Sequence, residues 1–408
     1  MTKQKLTCPA CSCFCDDIEV DIIDGRIKSI DNACLKGSSL IFQTEEKNER
    51  TPCMVQGLDT EPEQAIDEAA KILLNSKNPL LFGFDHSTNE AQLAGIKLAQ
   101  ELGGKIDDFS SFGYGNIVNQ LINKTIPTCF ISEMDSVNLF VYWGANPLHS
   151  HPRHLANFSY YANPGYSEMS TFRTVDLCTI DIRKNETALM SNPFYRLPPG
   201  GDADFISTVC KGLSNNADNK KAKDFYTLLH ASSSTVIFVG TGLISSMGKE
   251  ITPLLEMIDS LALDIKIVPM IDQPNMRGFN QTLHEVTGSV NMVDFAGGPS
   301  ENGKISFFQN IIDKKVDSIL IIGADPFYKM PLQVLKHLKQ IPIITVDPFI
   351  TDTTKASKIV IGSSVSGVES EGKVIRMDGK EIHLPAPCPT DKLSDVQILK
   401  LILEKVKA

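Results

Sequence analysis

The chain has 408 residues, of which 42% are apolar and 22% charged, and its net charge is −10. That length exceeds one ordinary domain, and the composition is that of a globular protein with sizeable cores. The acidic balance argues against nucleic acid, whose binding rests on Lys and Arg contacts to phosphate. No run approaches the roughly 18 apolar residues of a membrane helix. The opening Met1–Leu6 has no apolar signal core, so a cytoplasmic location is expected.

Five of the ten cysteines, Cys8, Cys11, Cys13, Cys15 and Cys34, fall within the first 34 residues. In a reducing compartment such clustering suggests metal ligation rather than disulfides. Two alternating runs, Ile18–Ile22 and Arg26–Ile30, flank Asp24-Gly25, a strong hairpin signal that folds Cys34 back towards the earlier thiols. Asp16 and Asp17 read as the polar start of that hairpin rather than an acid–base pair. The spacing C-x2-C-x3-C-x18-C, with Cys13 as the spare, offers four thiolates. Three close ligands plus one remote ligand look more like a [4Fe–4S] site than zinc, which more often uses two separated CxxC knuckles. Zinc and an empty remnant stay open. Cys53, Cys129, Cys178, Cys210 and Cys388 are scattered and read as small buried hydrophobes.

From about residue 60 apolar runs alternate with amphipathic helical patterns such as Pro62–Leu74 and Glu90–Leu102. The strand candidates are Pro79–Phe84, Leu139–Trp143, Leu177–Ile182, Val236–Val239, Ile265–Pro269, Ile319–Ile322 and Ile343–Val346. The alternation predicts parallel, doubly wound α/β sheets. An internal repeat sharpens this: residues 139–147 resemble 319–326, and 180–188 resemble 346–354. The prediction is an α/β chain with a small N-terminal Fe–S domain (1–58) and two nucleotide-fold-like units in the same strand order (59–215 and 216–358). A C-terminal β cap and helix (359–408) follow.

Gly83, Gly144, Gly240, Gly242 and Gly323 sit at strand ends, where tight turns and following helix N-termini favour phosphate. A plain turn is the better reading of any one of them alone, but five in duplicated positions point to a long or doubled dinucleotide-like ligand. Asp181 and Asp347 also close strands and can read a ribose or guanine edge, or cap a helix. In His149-Ser150-His151-Pro152-Arg153-His154, Arg153 suits an anion better than the histidines suit a metal. Arg277 is a further lining candidate. No nucleophile elbow, zinc-protease helix or Walker loop stands out.

Together these residues resemble the molybdopterin-oxidoreductase superfamily, and most closely the B subunit of formylmethanofuran dehydrogenase. The marks are Cys-Pro-x-Cys-x-x-x-Cys-Asp-Asp-Ile-Glu-Val at 8–20 and Asn-Ala-Cys at 32–34. Tyr-Trp-Gly-x-Asn-Pro-x-His-x-His-Pro-Arg-His at 142–154 and Gly-x-x-x-Arg-Met-Asp at 372–378 complete them. The resemblance implies a [4Fe–4S] cluster on Cys8, Cys11, Cys15 and Cys34. It also implies molybdopterin guanine dinucleotide, held here by the five glycines, Asn146, Arg153, Asp181 and Asp347.

In the dehydrogenase, molybdenum or tungsten is held by Cys or selenocysteine followed by His. Here the corresponding stretch is Asp107–Gly115, with Gly113-Tyr114 in that place, and no cysteine lies between Cys53 and Cys129. Glycine has no donor, and tyrosine is no acid/base near neutral pH. Ligation by Ser110 or Ser111, in an active dehydrogenase, stays open. The loss resembles a second branch, the corresponding subunit of the formyltransferase/hydrolase complex of methylotrophic bacteria, whose role there is structural. That branch implies hydrolase and formyltransferase subunits as partners, and a furan-type formyl carrier met only indirectly.

Overall fold

In the computed structural model the described residues are 2–162, 175–212, 219–248, 250–297 and 307–408. The chain forms two compact units, one of residues 1–111, 273–376 and 381–408, the other of residues 112–272 and 377–380.

The first unit begins with an antiparallel sheet, β1 (Thr2–Leu6), β2 (Ile18–Ile23) and β3 (Arg26–Asp31), in that order. Its Asp24-Gly25 turn has both residues at positive φ, as the sequence predicts. After β4 (Met54–Val55) and β5 (Leu58–Asp59) comes a long helix, Pro62–Leu74, and then β6 (Pro79–Gly83) and β7 (Lys105–Asp107). The chain then makes the second unit, with β8 (Leu139–Trp143), β9 (Asp176–Asp181), β10 (Phe194–Arg196), β11 (Thr235–Val239) and β12 (Ile265–Pro269). It returns for β13 (Val293–Asp294), β14 (Ser318–Ile322), β15 (Ile343–Asp347) and β16 (Ile359–Gly362). A hairpin, β17 (Gly372–Ile375) and β18 (Glu381–Leu384), and the helix Asp395–Lys407 end it.

Both large sheets are built on parallel strands. The order is β13-β7-β6-β14-β15-β16-β4-β5 in the first unit and β10-β9-β8-β11-β12 in the second. Every residue of β8, β11, β14 and β15 is buried, which is why these segments are continuous apolar runs rather than alternating ones.

Three sequence expectations are corrected. The boundary expected between 215 and 216 lies outside the described residues, but the two sheets are interleaved rather than consecutive. The early strand β6 pairs with β14, and β11 pairs with β8. Set side by side, β7-β6-β14-β15-β16 matches β12-β11-β8-β9-β10, so the duplicated sheets are circularly permuted rather than in the same chain order. Continuous apolar strands carry no sequence mark of their neighbour, so the pairing is invisible at that level.

Second, residues 1–58 do not stand apart. Phe14 packs on Val374 and Leu384 of the hairpin, and β4 pairs with β16. Arg50 also makes a nearly buried ion pair with Glu369 at 2.7 Å. Third, the cap expected from 359 onward is only partly a cap, since β16 is an inner parallel strand of the large sheet.

The repeat itself is real at the level of hydrogen bonds. In the second unit Asn146 Oδ1 accepts from Thr187 N (3.3 Å) and Oγ1 (2.8 Å). In the first, Asp325 Oδ1 accepts from Thr353 N (3.1 Å) and Oγ1 (2.5 Å). Thr179 and Ser191 share a hydroxyl bond of 2.6 Å, and Thr345 and Ser357 one of 2.5 Å. Gly144 N donates to Ile180 O at 2.8 Å, and Gly323 N to Val346 O at 3.0 Å.

At the second unit's switch point the glycines pack on one another. A Cβ on Gly240 would lie 2.1 Å from Gly144 O, and one on Gly144 2.2 Å from Leu243 N. Gly240 has φ −99°, so Ala there meets no left-handed penalty, only backbone overlap. Gly240→Ala is expected to cost about 3 kcal/mol, the upper end for overpacking. Gly288→Ala, at φ 75° with open space around it, should cost only about 1 kcal/mol. Urea unfolding of both variants measures the contrast.

Candidate functional site

In open parallel sheets, ligands bind beyond the carboxyl ends of strands where the order reverses. In the first unit that point lies between β6 and β14, and a cavity of about 250 Å³ stands beside it. Its walls include Gly323 and Asp347, two of the predicted residues, with His86, Ser87, Asp325, Thr351, Ser363, Ser364, Ser366 and Asp395. Pro9, from the cysteine loop, also reaches it.

The cavity is acidic, with no Lys or Arg in its wall among the described residues. Burial pushes Asp347 up to about 7; Asp325 adds to this, while the Phe349 N–H and Arg50 oppose it. Burial likewise lifts Asp395 to about 6, opposed by the backbone N–H groups at the start of its own helix. Crowding, with the charges of Lys329 and Lys36, disfavours protonation of His86, whose ring solvent still reaches through the cavity. The wall therefore offers hydroxyls, backbone amides and carboxyls that accept from N–H groups, rather than cations for phosphate. Asp347 keeps its place while Oδ1 accepts from Phe349 N at 2.9 Å.

The other predicted dinucleotide residues serve the fold. Gly144, Gly240 and Gly242 pack against one another, and a Cβ on Gly83 would lie 2.5 Å from Ile322 O. Asn146 closes the Thr187 staple described above. Asp181 accepts from Arg183 N (3.3 Å) and Asn185 Nδ2 (2.9 Å). Arg153 caps the short helix His154–Asn157 through its backbone. Arg277 is buried on the helix Met276–Thr287. The neighbouring histidines do not share a metal: His151 Nε2 bonds Ile271 O (2.9 Å), and His154 Nδ1 bonds Tyr142 OH (3.0 Å). His86, Asp325 and Asp395 carry no mark in the sequence reading. Asp325 was findable, since it stands opposite Asn146 in the repeat.

The stretch expected from the sequence to stand in place of the metal-binding dipeptide is closed by hydrogen bonds and packing. Gly113 starts the helix Tyr114–Ile122, and a Cβ there would come within 3.3 Å of Ile244 Cγ2. Tyr114 is buried and its hydroxyl donates to Met270 O at 2.5 Å; burial holds it well above the ordinary phenol value. In the first unit Ser110 Oγ donates to Asp108 (2.5 Å) and accepts from Asn280 and Asn291 (both 2.8 Å). Ser111 Oγ donates to Asp108 O at 3.1 Å. A serine that donates once and accepts twice has no lone pair left for a metal. These residues do not fit molybdenum or tungsten.

The cysteine loop differs. Cys8 N donates to Cys15 O (2.9 Å) and Phe14 N to Cys11 O (3.1 Å), a tight turn with Phe14 at φ 43°. Cys34 caps the helix Leu35–Gln43, its sulfur accepting from Gly37 N at 3.5 Å. A Cβ on Gly37 would stand 2.8 Å from Cys8 Sγ and 3.9 Å from Cys34 Sγ. The remote thiol is thus brought beside the first of the near ones, over a cradle that only glycine leaves open. Burial drives the Cys8 thiol up to about 12 and Cys13 well above the ordinary value. Among the described residues no three or more His, Cys, Asp or Glu converge on one ion. Thiolates that bind separate corners of an iron–sulfur cube need not converge on one point, so the donor set fits a cluster better than a single zinc.

Asp85, next to His86, is 1% exposed with neither carboxylate oxygen hydrogen-bonded. Burial raises it to about 8, with Asp107 adding and Lys329 opposing. That lies above about 3.9 for an unfolded aspartate, so the folded state holds a proton that the unfolded chain releases. Asp85 therefore costs stability progressively as pH rises from about 4 to about 8. Asp85→Asn should raise the urea midpoint at pH 8 and leave it unchanged near pH 4; a pH-independent difference would contradict this.

No family model matches the chain. Over its whole length it resembles the B subunit of formylmethanofuran dehydrogenase. It is 29% identical to the B subunit of the tungsten-containing formylmethanofuran dehydrogenase 2 of Methanocaldococcus jannaschii, covering 99% of this chain and 98% of that one. The Methanococcus maripaludis counterpart is 26% identical over the same shares. The fold is similar to a chain in the crystal structure of the formyltransferase/hydrolase complex of Methylorubrum extorquens with methylofuran. There the TM-score is 0.69 and the identity 17%, over 87% of this chain and 98% of that chain. It is also similar to acetylene hydratase of Pelobacter acetylenicus, with TM-score 0.68 and 12% identity, over 99% and 70%. No described helix is long and apolar enough to cross a membrane.

Proposed function

We propose that this chain is a non-redox structural subunit of a complex that hydrolyses and transfers formyl groups. Hydrolase and formyltransferase subunits are its partners, and the furan-type carrier is met through them. One observation carries the reading: where a molybdenum or tungsten ligand belongs, Gly113 offers no donor and Tyr114 spends its hydroxyl on Met270 O. Ser110, the nearest substitute, is saturated. The full-length resemblance to a dehydrogenase B subunit and the fold shared with a formyltransferase/hydrolase chain supply the setting.

Cys8, Cys11, Cys15 and Cys34 hold a [4Fe–4S] cluster that ties the start of the chain to its first helix. Binding metal to four cysteines contributes directly to folding free energy. The first-unit cavity takes a nucleoside-like group through Asp347 and its hydroxyl-rich wall, with Gly323 admitting the ligand close to the backbone. The complex works in tetrahydromethanopterin-linked one-carbon metabolism in the cytoplasm.

The second reading, an active dehydrogenase subunit, is favoured by the tungsten-containing relatives. Metal analysis of the anaerobically purified complex separates the two. About four irons per copy of this chain with no molybdenum or tungsten is the expected result; near-stoichiometric molybdenum or tungsten would establish the second reading.

Gly37→Ala tests the cluster itself. A thiol free to turn can move away from the new methyl, but one fixed on iron cannot, because the methyl would sit 2.8 Å from Cys8 Sγ. The variant should fold with an unchanged circular dichroism spectrum and hold less than half the iron of Ser38→Ala made in parallel.

A further inference from the structure

Besides Asp347, the first-unit cavity has a second polar end. Three separate chain segments build it: Ser87 after β6, Ser364 after β16, and Asp395, the first residue of the last helix. They are 1%, 4% and 6% exposed. Ser364 N donates to Leu393 O at 2.9 Å, which ties the segment after β16 to the start of that helix. Ser87 Oγ stands close to Gly323, where a Cβ would come within 3.2 Å of it. Asp395 Oδ1 accepts from Val396 N at 2.9 Å. The hydroxyls of Ser87 and Ser364, by contrast, are buried with no hydrogen-bond partner. An unpaired buried hydroxyl costs stability, so two in one cavity wall mark a place where a polar ligand completes the bonding.

We propose that this cavity takes an uncharged nucleoside rather than a nucleotide or dinucleotide, with Asp395, Ser87 and Ser364 holding its ribose hydroxyls. The proposal rests on the nucleoside reading given above, in which Asp347 meets the base. A carboxylate accepts only, whereas a serine hydroxyl both donates and accepts. Side by side they suit the two neighbouring O–H groups of a ribose, which carboxylates elsewhere also bind. The same wall repels phosphate, because Asp325, Asp347 and Asp395 all line it. Arg50, which stands over the ring of the wall residue Phe349, is paired with Glu369 at 2.7 Å. Lys36 and Lys329, whose charges reach His86, are not wall residues. Size points the same way. A volume of about 250 Å³ lies below the roughly 300–1,000 Å³ of common ligand cavities and suits a nucleoside better than a dinucleotide.

The test is calorimetry on the purified complex at pH 8, where Asp347 and Asp395 are both ionised. The probes are guanosine, whose base has two adjacent N–H donors, its 2′,3′-dideoxy analogue, GDP and adenosine. Guanosine is expected to bind at least tenfold more tightly than the dideoxy analogue or GDP. Asp395→Asn, which can still accept from Val396 N, should weaken guanosine severalfold and leave the dideoxy analogue unchanged. The double variant Ser87→Ala/Ser364→Ala should do the same. Variants that weaken both ligands alike would overturn the ribose assignment. GDP binding as tightly as guanosine, or a dinucleotide released when the complex is denatured, would overturn the exclusion of phosphate. If neither guanosine nor adenosine binds and denaturation releases no nucleoside or nucleotide, it is the underlying nucleoside reading that fails.

Discussion

Where two neighbouring parallel strands send their chains to opposite sides of a sheet, the two loops leaving them must pass within van der Waals distance. The rest of this molecule is arranged around how that crossing is solved twice. In the second unit the loops touch backbone to backbone: Gly240 N donates to Trp143 O at 2.9 Å, Gly242 N donates to Gly144 O at 3.0 Å, and no Cβ fits between them. In the first unit the equivalent step is made by Phe84, at φ 71°, whose N–H donates to Ile322 O at 2.6 Å. Its ring turns into the core and stacks on Phe279 at 5.4 Å. The following Asp85-His86-Ser87 stays close to Gly323, with His86 N donating to Gly323 O at 3.3 Å, and the cavity lies beside it. One duplicated crossing is closed by glycine at φ −99°, the other is passed by a phenylalanine held at φ 71°.

This decides which predicted residues line the cavity and which pack against another loop. Glycines at strand ends have two uses, close approach to a phosphate and close approach to another strand's loop, and a sequence cannot separate them. Gly144, Gly240 and Gly242 fall to the second use, and Gly323 to the cavity wall. The aspartates split in the same way. Asp181 and Asp347 occupy one position in the repeat, but Asp181 spends both oxygens on Arg183 N and Asn185, while Asp347 lines the cavity.

What was legible follows from what a residue's neighbours in sequence determine. The seven long strand candidates lie on observed strands because burial on both faces writes a continuous apolar run. The hairpin and the helices Pro62–Leu74 and Asn89–Glu101 were readable from Asp-Gly and from helical periodicity. The repeat was readable because its staples lie within short segments, Asn146 to Thr187 and Asp325 to Thr353. Strand pairing was not, since Leu80 beside Ile319 leaves no mark on either segment. The short strands Lys105–Asp107 and Phe194–Arg196 were missed because three residues carry no period. His86 and Asp395 meet only through the fold, some 300 positions apart in sequence.

The two places where a metal is at issue answer the question of vacancy in opposite ways. Polar groups taken out of water must find partners, and a loop that has lost a metal ligand must replace the lost interactions or unfold locally. The 107–114 stretch has such partners: Asp107 accepts from Asp108 N and Met292 N, Ser110 is saturated, and Tyr114 reaches a carbonyl. Nothing there waits for a ligand. Around Cys8–Cys15 the backbone turn is closed, and Gly37 leaves open the space beside Cys8 and Cys34. The two places therefore differ physically: one is filled by its own hydrogen bonds, while Gly37 leaves room beside Cys8 and Cys34.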